Sequence, residues 1–183
     1  MRHYLWAGLL LLAAGCAAAP APKGQVEVSG RPTAQGPAIT AAWAPEAVRE
    51  GTYWRLYLSA ADPGCAVTTL YADVEQLGFG SYRLQQIQLP RSDRCGLHGQ
   101  LTFPVRGSFL WGARFTVTVW VEDATGRKSQ QVTFPVVVDG APEVKPPAPY
   151  QGPEFQRVLG SIDVQLRSPT FDGGPSGFRG LMK

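Results

Sequence analysis

The sequence predicts an all-β domain made of two packed antiparallel sheets with seven or eight strands. Three observations lead there: apolar residues recur with period two in several short stretches, 21 glycines and 16 prolines punctuate them, and no stretch sustains a helical period. The formal net charge of +3 comes from Arg and Lys scattered mostly singly, so no basic run tracks a phosphate backbone and nucleic acid is excluded as the expected partner.

At the N-terminus Arg2 precedes the run Leu9-Leu10-Leu11-Leu12-Ala13-Ala14-Gly15, and Cys16 follows. A cationic start, a short apolar run and small residues before a cut site are the parts of an export signal. The run is shorter than the roughly 20 residues a spanning helix needs. Two processing sites fit, one just ahead of Cys16 and one after Ala18 or Ala19 that discards the thiol. The stretch resembles the bacterial lipoprotein signal, with Ala13 where that family most often carries leucine. The resemblance implies a signal peptide over residues 1–15, lipidation of Cys16 with attached acyl chains such as palmitate, and a protein held at the membrane by its N-terminal lipid. Ala17 stands where the family's inner-membrane retention signal has Asp, which implies the outer membrane of the cell envelope where the cell has one.

Residues 16–24 form a lipid-proximal tether, small and proline-bearing. The folded domain is expected over residues 25–140. It opens with an edge strand at residues 25–29, then turn material around Pro32, Gly36 and Pro37. Ile39, Ala41 and Trp43 share one side of the next strand, Pro45 ends it, and residues 44–50 are compatible with a helical turn. Over residues 52–60 Trp54, Leu56 and Leu58 face one way, Tyr53, Arg55 and Tyr57 the other. Asp62-Pro63-Gly64 makes a turn, and strands follow at residues 67–74, 82–89 and 100–105. The clearest alternation lies at residues 114–122, with Phe115, Val117, Val119 and Val121 on one face and Thr116, Thr118 and Trp120 on the other. Asp123 to Gly126 turns the chain back into Val132, Phe134, Val136 and Val138.

Residues 58–64 with 67–71 resemble the second and third strands of bacterial immunoglobulin-like domains, and residues 115–138 resemble their last hairpin. The resemblance implies an immunoglobulin-like β-sandwich without the inter-sheet cysteine pair of antibody domains. Export places Cys65 and Cys95 in an oxidising compartment where a disulfide between them persists. In the implied topology both lie in loops at one end, so their bond clamps one tip of the sandwich.

Residues 141–153 hold Pro142, Pro146, Pro147, Pro149 and Pro153 and read as a semi-rigid spacer. Residues 154–183 form a C-terminal extension, with Ile162, Val164 and Leu166 in phase as a short strand before an irregular, glycine-rich end. This extension either lies back on its own domain or adds a strand to a partner's sheet edge.

Convergent catalytic groups are scarce. His98, the only histidine beyond the signal, reads as a loop residue with no serine or acid near it in sequence. No His/Cys set has the spacing of a metal site, and Asp62, Asp73, Asp93 and Asp123 read as turn formers, not calcium ligands. Asp73 and Glu75 lie two apart on a strand, about 6.6 Å along it, but nothing in the sequence indicates the cleft a glycosidase pair needs. No enzyme activity, metal or cofactor is therefore expected. The candidate binding surface is aromatic: Tyr53, Tyr57 and Trp120 on the outward phase of strands, Trp111 in a loop, Phe171 and Phe178 in the tail. The expected role is a membrane-anchored structural or assembly component of the cell envelope acting through protein–protein contacts with an envelope protein. The alternative is a carbohydrate-binding module whose rings stack on a glycan such as peptidoglycan or a surface polysaccharide.

Overall fold

The computed structural model describes residues 36–140 and 142–169. The signal over residues 1–15, the lipidation site Cys16, the tether, the edge strand expected at residues 25–29, and Phe171 and Phe178 lie outside the described residues.

The described chain contains ten strands: β1 (Ala38–Trp43), β2 (Ala47–Val48), β3 (Tyr53–Ala61), β4 (Val67–Gln76), β5 (Gly80–Ser81), β6 (Gln85–Gln88), β7 (Gly96–Pro104), β8 (Arg114–Asp123), β9 (Val132–Val138) and β10 (Val158–Ser161). One sheet runs β1-β3-β7-β10; the other runs β2-β9-β8-β4, with β5 and β6 both paired to β4. The two face each other across a shared core, an immunoglobulin-like arrangement. Two features correct the purely antiparallel plan. β2 pairs with β9 in parallel, and β10 pairs with β7 in parallel. Seven of the described strands answer to expected ones, with the segment 82–89 shortened to β6, and β2, β5 and β10 are short additions.

The core follows the period-two pattern. Trp54, Leu56 and Leu58 of β3, Leu101 and Phe103 of β7, Leu70 of β4, and Val117, Val119 and Val121 of β8 are fully buried between the sheets. The Trp54 indole meets Phe115 and Phe134 edge-on, and its N–H donates to the Pro45 carbonyl at 2.8 Å. That bond sits where the chain leaves the first sheet. The helical turn expected at residues 44–50 is replaced by β2, which crosses to the second sheet and bonds β9 through Val137 N–H to Glu46 O. Alternate residues of β9 present their backbone to that edge, so Pro135 puts its missing donor there and blunts the edge.

β1 departs from simple alternation. A register shift between Ile39 and Ala41 splits its phase, so Ile39 enters the main core while Trp43 faces outward. There the segment expected to be a spacer closes over it. Tyr150 and Phe155, each set by a single 3-10 turn, pack with Trp43 and Tyr57 into a second apolar cluster on the outer face of the first sheet. The prolines prevent a hydrogen-bonded ladder, yet ring packing requires none. The segment is therefore held to the domain at Glu143, through Arg55, and at Tyr150.

β10 then adds to β7, so the chain's own sheet takes the strand that could have completed a partner's edge. Gly99 makes this approach feasible, because a Cβ there would lie 2.7 Å from the Arg157 carbonyl oxygen and from Leu159 Cγ. The ladder ends at Ser161, but Ile162, Val164 and Leu166 continue in phase and are buried in the main core. The strand thus lies just ahead of the residues expected to form it, while their inward phase is as expected. Gln76, almost fully buried, holds the far end: its amide donates to Arg167 O at 2.6 Å and accepts from Arg167 N–H at 2.8 Å.

Two polar devices order the ends. Arg157 grips buried Asp93 with both terminal guanidinium nitrogens, one at 2.7 Å, and Ser92 donates to the same carboxylate at 3.1 Å. Two residues on from Asp93, Cys95 forms a disulfide with Cys65, so the loops after β3 and before β7 are joined. Asp62 caps the first of those loops by accepting Gly64 N–H at 3.0 Å and Ala66 N–H at 2.8 Å. Asp123 does the same for the β8–β9 turn, accepting from Thr125 N–H and hydroxyl and from Arg127 N–H and Nε.

Replacing Arg157 leaves the Asp93 carboxylate buried with too few donors. Arg157→Ala is expected to lower unfolding stability by about 2 kcal/mol, read from the urea midpoint, with Arg157→Lys recovering only part because a point charge cannot bridge both oxygens. Asp123 supplies a pH test. Burial alone raises its carboxyl pKa, but the hydrogen bonds from the Thr125 hydroxyl, Arg127 and the Thr125 N–H outweigh it and hold the pKa at about 2, below the ordinary 3.8. Its stabilisation is then complete above pH 3.8 and is lost as pH falls toward 2. Asp123→Asn is expected to show a smaller drop in melting temperature between pH 4 and pH 2 than the unaltered protein; equal drops would remove this carboxylate as the source.

Candidate functional site

The aromatic residues singled out in the sequence divide into three places. Tyr57 lies under the C-terminal segment, with its ring 5.8 Å from Trp43 and 6.5 Å from Tyr150. Burial raises its phenol pKa; nearby Arg55 lowers it and Glu143 raises it further. Tyr53, on the same outward phase, stays half-exposed beside a small cavity of about 140 Å³ walled by Arg49, Arg55 and Glu143. Arg55 and Glu143 form an ion pair across its mouth.

Trp120 faces outward as expected, but it is not an open platform. Tyr71, its direct cross-strand partner on β4, stacks on it at 5.1 Å and 8° between planes. Lys128 Nζ stands 6.0 Å from its ring centroid, and only 8% of the residue is exposed. A sugar ring would have to displace Tyr71 to stack there. Trp120 is therefore corrected from a candidate binding ring to part of the sheet's own outer packing.

His98 is also corrected. It lies within β7, directly opposite Ser59 on β3, and the Ser59 hydroxyl is 2.8 Å from its Nδ1. Strand register brings the two together from 39 residues apart. Ser59 is buried, Phe155 meets the imidazole edge-on at 6.2 Å, and among the described residues no carboxylate is hydrogen-bonded to the ring. A shielded hydroxyl whose imidazole has no orienting acid is a cross-strand bond, not a primed nucleophile. Among the described residues no group of three or more His, Cys, Asp or Glu side chains could hold a metal ion.

The third place is the end of the domain remote from the disulfide. Here Trp111 is 69% exposed, joined by Phe109 at 67% and Leu77 at 71%. The loop Gly107-Ser108-Phe109-Leu110-Trp111-Gly112 is held from inside: Leu110 is fully buried, its N–H donates to Glu50 Oε2 at 3.1 Å, and its carbonyl accepts Ala113 N–H at 2.8 Å. Gly107 is required by that anchor, since a Cβ would stand 2.9 Å from Leu110 Cδ1. Phe109 adopts φ 61°, a left-handed conformation costly for a side chain of this type, and Ser168 Oγ donates to its carbonyl at 2.9 Å. Trp111 rests against Gly140 beyond β9. Two rings thus stand out on either side of one buried leucine, on a loop fixed by hydrogen bonds at both ends. Exposed aromatics held rigid at strained backbone are the chemistry of a contact surface.

A groove of about 560 Å³ lies beside this tip on the outer face of β9, β8 and β4, lined by Leu77, Thr116, Pro135 and Val137. Its charged groups are Glu46, Glu75 and Arg114, so it is apolar in its floor and acidic in balance.

Trp111 was legible from sequence, whereas Leu77 and Phe109 were not singled out. The signal was present in the run Phe109-Leu110-Trp111 between two glycines, because three large apolar residues in a short loop cannot all turn inward.

No family model matches this chain, and no curated protein matches it. Among solved structures, the PKD domain of an M14-like peptidase from a Thermoplasmatales archaeon is similar with TM-score 0.38 and 13% identity, covering 57% of this chain and 97% of that one. The CARDB domain of the PF1109 protein of Pyrococcus furiosus, solved in complex with di-metal ions, is similar with TM-score 0.35 and 13% identity, covering 60% of this chain and 94% of that one.

Proposed function

We propose that this protein is a non-enzymatic contact module of the bacterial cell envelope, lipid-anchored at Cys16 in the outer membrane and engaging an envelope protein through its aromatic tip. The observation that carries this reading is the exposure of Leu77, Phe109 and Trp111 together on a braced end of the domain. Large rings that lose little conformational freedom on binding are the groups that dominate protein interfaces.

The start of the described chain supports the same reading: Ala38, where β1 begins, pairs with Ala61 at the disulfide end, remote from the tip.

The test places a photoreactive residue at Ser108 of the full-length protein in native membranes and compares partner adducts with and without the tip rings. Phe109→Asn, which suits the left-handed backbone, combined with Trp111→Ser is expected to reduce recovery of the adduct at least tenfold while leaving the unfolding midpoint in place. Undiminished recovery would move the contact to another surface. Retention on peptidoglycan or polysaccharide that Trp111→Ser abolishes would replace the protein partner with a glycan.

A further inference from the structure

The described chain ends at Pro169, at the same end of the domain as the apolar groove. Arg167 is bonded through its backbone to Gln76, the residue before the groove-lining Leu77, and Ser168 is bonded to Phe109. Residues 170–183 continue from that point and carry Phe171, Phe178, Arg179 and Lys183. The nine residues from Pro169 to Phe178 span up to about 30 Å, enough to pass over the rim onto the outer face of β8. A segment tethered this closely has an effective concentration on the order of millimolar, so weak affinity suffices to fill the site.

We propose that residues 170–183 dock in the groove, with the Phe178 ring on the floor formed by Thr116, Pro135 and Val137 and with Arg179 and Lys183 opposite Glu46 and Glu75. Two carboxylates against the single guanidinium of Arg114 give the groove a net charge that suits a ring followed by cations. The ring covers apolar strand surface that otherwise faces water, and glycines on both sides of the phenylalanine let the chain lie close to the sheet. The groove is then occupied by its own chain, and a competing ligand must present the same chemistry, an aromatic residue followed by a basic one. This docking needs neither lipid nor partner, so it stands or falls independently of the contact made by the tip.

The experiment uses the purified full-length chain, diluted so that only intrachain events are seen, with benzoylphenylalanine at position 178. Irradiation is expected to give an intrachain adduct to the peptides carrying Leu77, Thr116 or Val137, as mapped by mass spectrometry. Glu75→Lys, an exposed charge reversal that leaves the floor intact, is expected to lower its yield at least threefold, and Thr116→Glu at least tenfold. Adducts on other faces, adducts between chains, no adduct, or yields unchanged by both variants would overturn the proposal. Circular dichroism of each variant separates loss of docking from loss of fold, and a variant that unfolds is replaced by Val137→Asp.

Discussion

The grip of Arg157 on Asp93 is the constraint on which the rest of the molecule depends. Up to Gln156 the chain lies on the outer face of the first sheet; after Val158 it runs in the edge of the sandwich beside β7. Arg157 is the point of passage. Held there by both oxygens of a buried carboxylate, it sets where β10 meets β7, and the register of β10 decides which of the next residues turn inward. Ile162, Val164 and Leu166 then fill the gap between the two sheets, and their burial places Arg167 and Ser168 against Gln76 and Phe109. One ion pair near the disulfide therefore positions a contact at the far end of the domain.

The alternating strands were legible because each apolar face repeats every second residue, and β3, β8 and β9 read as they fold. What lay hidden was pairing between distant segments. The β1 bulge separates Ile39 from Trp43 although they share a phase in the sequence. β2 and β10 are too short to show a period, and both exist because a longer neighbour offers an open edge. The proline-rich segment was read from what proline removes, a donor and a helical backbone, while its affinity for the sheet resides in Tyr150, joined by Phe155 just beyond it.

The candidate site shows the same division. Trp120 was assigned to the outer face correctly from its phase, but its cover by Tyr71 follows from the register of β4 against β8, which no single stretch contains. Ser59 and His98 meet for the same reason. The exposed rings of the tip differ in kind. Their exposure is a local consequence of three apolar residues in a six-residue loop whose middle member is drawn inside, and that much can be read without any knowledge of pairing.

The two ends of the domain also differ in what they can do. At one, Asp62 and Asp123 satisfy the turn backbones internally and the disulfide joins two loops, so the polar groups are already bonded and little remains to attract a partner. At the other, polar groups are used to brace the loop from within, and what faces water is carbon. On the proposed anchor at Cys16, a tether of residues 16–24 spans at most about 30 Å, about the length of a nine-residue strand. Such a tether limits how far the tip travels without fixing where it points. Orientation must then come from the contact itself, which is why rings braced against their own loop are better suited to this position than long, flexible side chains.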